Sequence, residues 1–172
     1  MTPTRYSRPM MWLHWLSAAL ILVLFVVGFV AARVLPFSSP LKQPLFQLHA
    51  VAGYALLVLT VVRLYYKLRT PQPAPPAGMS GPRLLAYKTV HALLYVGIFL
   101  MALSGINILQ QSGLGISPFF DPRGLDFEVL PAVLHVNGKW VFAALILVHI
   151  VGVFSYQATK GDVLSRMGLG RG

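Results

Sequence analysis

There is no cysteine anywhere in the 172 residues. That excludes disulfides, thiolate-ligated iron–sulfur clusters and the C-x-x-C-H attachment of c-type haem, so any haem here must be held by histidine without a thioether link. Charge is scarce as well. Asp, Glu, Lys and Arg make up 10% of the chain, against about 25% in an average soluble domain. Carboxylates are rarest of all, four against fourteen Lys and Arg, which leaves a net charge of +10. In a soluble protein such a balance would suggest nucleic acid as a partner. With 56% hydrophobic residues and a mean hydropathy of +0.70, the chain reads instead as an integral membrane protein, with lipid as its partner and no nucleic acid.

What is abundant is apolar sequence in long runs. Four segments stand out, at about residues 11–32, 45–66, 84–109 and 132–156, each spanning at least the roughly 20 residues that a transmembrane helix needs. The first is too long for a signal-peptide core and is not followed by a cleavage site and soluble domain, so it is expected to stay as a helix. Between the segments lie breakers: 36–44, then 71–82 with five prolines, then 112–131 with three prolines and three glycines. No internal repeat or separable soluble domain interrupts them. The expected fold is all-α, a single transmembrane four-helix bundle over residues 1–172.

Ten of the fourteen Lys and Arg (Arg5, Arg8, Arg63, Lys67, Arg69, Arg83, Lys88, Lys160, Arg166 and Arg171) fall at the N-terminus, the second connection and the C-terminus. Arg33, Lys42, Arg123 and Lys139 fall at the first and third connections. The positive-inside rule then puts both termini in the cytoplasm. The third connection, which also carries Asp121, Asp126 and Glu128, is expected to cap the outer side.

Every one of the five histidines lies inside or at the edge of an apolar segment. An ionisable ring at membrane depth is costly and by default marks a functional site. His135 and His149 share one expected helix and are 14 residues apart, which brings the second ring back to within about 40° of the first and roughly 21 Å further along. That spacing suits two stacked metal cofactors, haem above all, one near each face of an apolar layer about 30 Å thick. Depth pairs His49 with His135 near the outside. Near the inside His14, His91 and His149 compete for one two-ligand site, and spacing leaves His14 with His149 and His91 with His149 both open. Gly53, Gly138 and Gly152 lie one turn from His49, His135 and His149 on the ligand's own face, where a flat macrocycle needs close approach; packing between helices is the other use of such glycines. Arg63 shares the face of His49, 14 residues on, and suits a haem propionate or a quinone head group; a snorkelling interfacial arginine is the plainer reading. Trp12, Trp15, Tyr65, Tyr66 and Tyr156 read as interfacial anchors.

In order along the chain, Arg8-Pro9-Met10-Met11-Trp12-Leu13-His14-Trp15, then His49-x-x-x-Gly53 with Arg63, then His91-x-x-x-Tyr95 with Gly105, then His135 with His149, the sequence resembles the bacterial cytochrome b561 family. The resemblance covers about residues 5–167, and it differs from the six-helix eukaryotic proteins that share the name. It implies a di-haem b protein of the bacterial inner membrane, with His14 and His149 on the cytoplasmic-side haem, His49 and His135 on the outer one, and His91 a non-ligand near a quinone site. A close relative in that family acts as a superoxide oxidase that passes electrons to ubiquinone. That relative has a histidine near the cytoplasmic end of the fourth helix where this chain has Tyr156, a departure at the quinone end.

The expected mechanism is a one-electron wire, because bis-histidine ligation fills both axial positions of the iron. Lys42, Arg123 and Lys139 are expected to attract superoxide on the outer face, with Asp121, Asp126 and Glu128 opposing them. His91, Lys88, Arg83 and Arg63 are expected to contact ubiquinone or handle its protons on the inner face. Two other functions fit the residues. One is a quinol-oxidising cytochrome b serving a periplasmic or membrane redox partner; the other is a haem-free protein in which the histidines relay protons for transport or assembly.

Overall fold

The structure, a computed structural model, describes residues 3–76, 78, 79, 81–161 and 163–169. Of the cations that orient the chain, Arg171 and the side chain of Lys160 lie outside these. Four long helices, α1 (Arg8–Phe29), α2 (Lys42–Arg69), α3 (Gly81–Gln111) and α4 (Leu130–Lys160), are followed by one short turn of helix, α5 (Val163–Arg166). There is no strand among the described residues. All four long helices are long and apolar enough to cross a membrane. Their outward faces carry bare Trp12, Leu22, Val58, Leu100, Val141 and Phe154, a surface that water penalises and lipid accepts.

Each helix runs a few residues past its apolar core, since a hydropathy reading sees only the lipid-facing part. Each also holds a proline in its first turn: Pro9, Pro44, Pro82 and Pro131. Three of these were expected to break the chain between segments. In the first turn, the missing N–H is one that the helix could not bond in any case, so proline begins a helix there. α1 ends differently, widening into one π-turn (Val30–Val34) closed by Leu35 N–H on the Val30 carbonyl at 3.1 Å. Lys42, buried at the start of α2, donates its ammonium to the Leu35 carbonyl at 2.8 Å and lies over the Phe37 ring.

The helices are packed as two hairpins. α1 packs on α2, α3 packs on α4, and α2 joins the pairs through α3; among the described residues, the backbone of α4 nowhere comes within 8 Å, Cα to Cα, of α1 or α2. Side chains fill that gap. At mid-depth Phe142 of α4 stacks on Phe25 of α1 with ring centroids 6.5 Å apart, packed with Leu56 and Ile98. The third connection docks on α2, where Gln47 and Tyr54 donate to the carbonyls of Phe120 and Ile116 at 3.0 and 2.6 Å. At the other end the termini are tied together. The Trp15 indole donates to the Met167 carbonyl at 2.9 Å, and Arg166 donates to the carbonyls of Thr4 and Ala74.

Candidate functional site

Across the gap between the hairpins, four histidines meet as two pairs. The rings of His49 on α2 and His135 on α4 have centroids 6.1 Å apart; those of His14 on α1 and His149 on α4 are 6.4 Å apart. Both pairs are steeply inclined, at 76° and 71°. These separations are too long for a shared hydrogen bond between rings. They match a metal held between two imidazoles, with about 2 Å for each metal–nitrogen bond and about 1.1 Å from each nitrogen to its ring centre, about 6.2 Å in all. His91 does not share this geometry. Its ring lies 5.0 Å from that of His149 and 4.4 Å from Tyr87, and its Nδ1–H donates to the Tyr87 carbonyl at 2.7 Å. Of the two inner pairings that spacing leaves open, the separation suits His14 with His149.

The pair expected on the outer side, His49 with His135, is held by its neighbours. His49 donates its Nδ1–H to the Leu24 carbonyl at 3.1 Å. His135 donates its Nδ1–H to Ser104 Oγ at 2.9 Å, and the Ser104 hydroxyl donates onward to the Met101 carbonyl at 3.0 Å. Each ring is thereby fixed as the tautomer whose Nε2 carries a free lone pair, the form that binds a metal. Gly28 on α1 makes room: a Cβ there would sit 2.8 Å from Cε1 and Nδ1 of His49. Gly105 performs the same service less tightly, at 3.5 Å from Cε1 of His135. A Cβ at Gly53 or Gly152 would meet nothing within 4 Å, and one at Gly138 only the sulfur of Met101 at 3.7 Å. These three are therefore not required by packing between helices.

The inner pair has a cationic setting. Arg63 donates from Nη2 to His14 Nδ1 at 2.9 Å, while its Nε is buried without a partner. Tyr95 lies between Arg63, at 5.4 Å, and Lys67, at 4.7 Å. Tyr87, beside His91, is within 3.3 Å of the Tyr6 hydroxyl. Arg83 and Lys88 are exposed on α3 and are not brought to His91 by any contact among the described residues.

Around the third connection the cations expected on the outer side part company. Lys42 is buried on the Leu35 carbonyl, and Arg123 grips both oxygens of Asp121 through Nε at 3.0 Å and one through Nη2 at 2.5 Å. Those hydrogen bonds hold the Asp121 carboxyl below its usual range. Lys139, one turn after His135, remains within electrostatic reach of both outer histidines, with Arg33 beside it.

Sequence reading missed Gly28, Ser104, Lys67, Tyr87 and Phe142. For Phe142 there was a signal: it is seven residues from His135 and seven from His149, so all three lie on one stripe of α4. Gly28 and Ser104 act on other helices, which no spacing reveals.

The comparisons with known proteins point the same way. Cytochrome b561 homolog 2 of Escherichia coli (strain K12) is 29% identical over 178 residues, covering 96% of this chain and 92% of its own length. Cytochrome b561 homolog 1 of the same organism is 27% identical over 181 residues, covering 95% and 96%. No solved structure matches significantly. The family model for prokaryotic cytochrome b561 matches residues 5–170. Nearly the whole chain is thus accounted for, and the protein belongs to the prokaryotic cytochrome b561 family, whose members are membrane haem b electron-transfer proteins.

Proposed function

We propose that the chain is one transmembrane domain holding two haem b groups, His14 with His149 on the cytoplasmic side and His49 with His135 on the outer side of the bacterial inner membrane. Both termini are then cytoplasmic, following the bias of Lys and Arg. The observation that carries this reading is the pair of ring separations, 6.4 and 6.1 Å. A haem held between two histidines would supply reversible one-electron transfer.

The reaction that best suits the two ends is superoxide:ubiquinone oxidoreduction. Two superoxide anions give up one electron each and leave as two O₂; one ubiquinone takes two electrons and two protons and leaves as ubiquinol. On the outer side Lys139 and Arg33 supply the positive field that draws an anion toward His49 and His135. On the inner side His91, its Nδ1–H committed to Tyr87, keeps Nε2 as the atom through which a proton is passed to quinone. Arg63, Lys67 and Tyr95 form the polar wall beside it. Tyr156, in place of the relative's histidine, leaves His91 as the imidazole for that task. The burial of Lys42 and the pairing of Arg123 favour a second reading, in which quinol is oxidised and a periplasmic or membrane partner takes the electrons.

The test is a reduced-minus-oxidised spectrum of the purified protein with a pyridine haemochrome count. Two haems per chain that respond to superoxide support the proposal. Two haems that ignore superoxide and are reduced by quinol select the second reading. His135→Ala is expected to lose one haem and keep the other, whereas His91→Ala keeps both; loss of neither haem in His135→Ala overturns the pairing.

A further inference from the structure

The two histidine pairs differ in what their Nδ1 atoms face, and this carries the di-haem reading, on which it rests, one step further. At the outer pair both rings donate to uncharged oxygens, His49 to the Leu24 carbonyl and His135 to Ser104 Oγ. The Met101 carbonyl accepts the hydrogen of Ser104, which leaves the Ser104 oxygen to accept from His135. An imidazole that donates its second N–H is the more electron-rich ligand and favours the oxidised metal. At the inner pair neither ring has such an acceptor. His14 Nδ1 faces the Arg63 guanidinium at 2.9 Å, and His149 has no hydrogen-bond partner among the described residues. Among the described residues Arg63 has no carboxylate partner. Asp121, Asp126 and Glu128 are all on the third connection, at the opposite end of the molecule. A full positive charge next to a metal site at low dielectric favours the reduced, less positive metal; Lys139 acts on the outer pair in the same sense, but without the direct contact to a ring that Arg63 makes.

We infer that the outer haem is the low-potential site and the inner haem the high-potential one, with Ser104 the positioning residue that keeps the outer site low and Arg63 the charge that keeps the inner site high. Transfer of one electron from the outer site to the inner one is then the downhill step, in the direction of the proposed function. What is new is the part played in it by Ser104 and Arg63.

A potentiometric titration of the purified holoprotein, followed in the haem absorption bands, tests the assignment against Ser104→Ala, Ser104→Thr and Arg63→Gln. Two waves are expected in the unaltered protein. Ser104→Ala should move the lower wave upward and leave the upper one in place, and Ser104→Thr, which keeps the hydroxyl, should restore it. Arg63→Gln should move the upper wave downward, so that the gap narrows in both variants. A Ser104→Ala protein whose lower wave stays put, or whose upper wave moves, overturns the inference. So does an Arg63→Gln protein whose upper wave rises, the result expected if Arg63 instead stabilised an anionic His14. A haem count below two per chain sinks the di-haem reading itself, and is thereby told apart from failure of the inference alone.

Discussion

Gly28 shows how a residue without chemistry of its own controls one that has it. The His49 ring lies against the bare backbone of α1, and that contact, together with the Leu24 carbonyl, fixes both its position and its tautomer. A methyl group at Gly28 would sit 2.8 Å from two ring atoms, closer than unbonded atoms tolerate, so the imidazole must turn and lose its hydrogen bond. Overpacking of this kind costs about 1–3 kcal/mol. On the proposed di-haem reading, Gly28→Ala is therefore expected to lower the haem content toward one per chain while leaving the haem at His14 and His149, measured by haemochrome count and by the loss of one redox wave. Two full haems with unchanged waves would show that the ring has room the structure denies it. The histidines themselves were legible in the sequence, because polar rings in apolar runs stand out. Gly28 and Ser104 were not, because their importance is a distance between helices, which a one-dimensional pattern does not contain.

At the scale of elements, the four helices could be read from the sequence to within a few residues, and the errors have one cause. Hydropathy marks where lipid begins, whereas a helix continues until its backbone bonds run out, so α2 and α3 extend through Lys67, Arg69 and Gly81. The prolines of the connections turned out to begin helices for the reason given by their missing N–H. The third connection was expected to cap the outer side, and it docks on α2 through Gln47 and Tyr54. Its ion pair has a pH dependence that can be worked out. The Asp121 carboxyl is held below its usual range by Arg123, so whatever it contributes is present at neutral pH and is lost only as pH falls through that lowered value. Both groups are exposed, where solvent screens such pairs to little effect. Thermal unfolding in detergent is therefore expected to be unchanged between neutral and mildly acidic pH, and unchanged again in Asp121→Asn. A clear fall in unfolding temperature in that variant would show that the pair anchors the connection.

Taken whole, the described residues form two polar ends joined by an apolar layer. Between the histidine pairs the interior is Phe25, Leu56, Ile98 and Phe142. The nearby hydroxyl of Thr60 is turned back on the Leu56 carbonyl of its own helix. An electron has only distance to cross there, but a proton needs a chain of donors and acceptors, and no titratable side chain among the described residues takes part in this layer. On the proposed superoxide:ubiquinone reading, charge would be separated at every turnover: electrons arriving from outside would meet protons drawn from the cytoplasm, leaving the membrane more negative within. In sealed vesicles carrying the protein with its outer face exposed, together with ubiquinone, a pulse of superoxide is expected to raise an inside-negative voltage that a voltage-sensitive dye reports and an ionophore abolishes. A dye signal that stays flat while quinone is reduced would mean that a proton travels with each electron. If superoxide is the donor, as proposed, removal of a damaging radical would also charge the membrane, the dryness of a few apolar side chains turning detoxification into stored work.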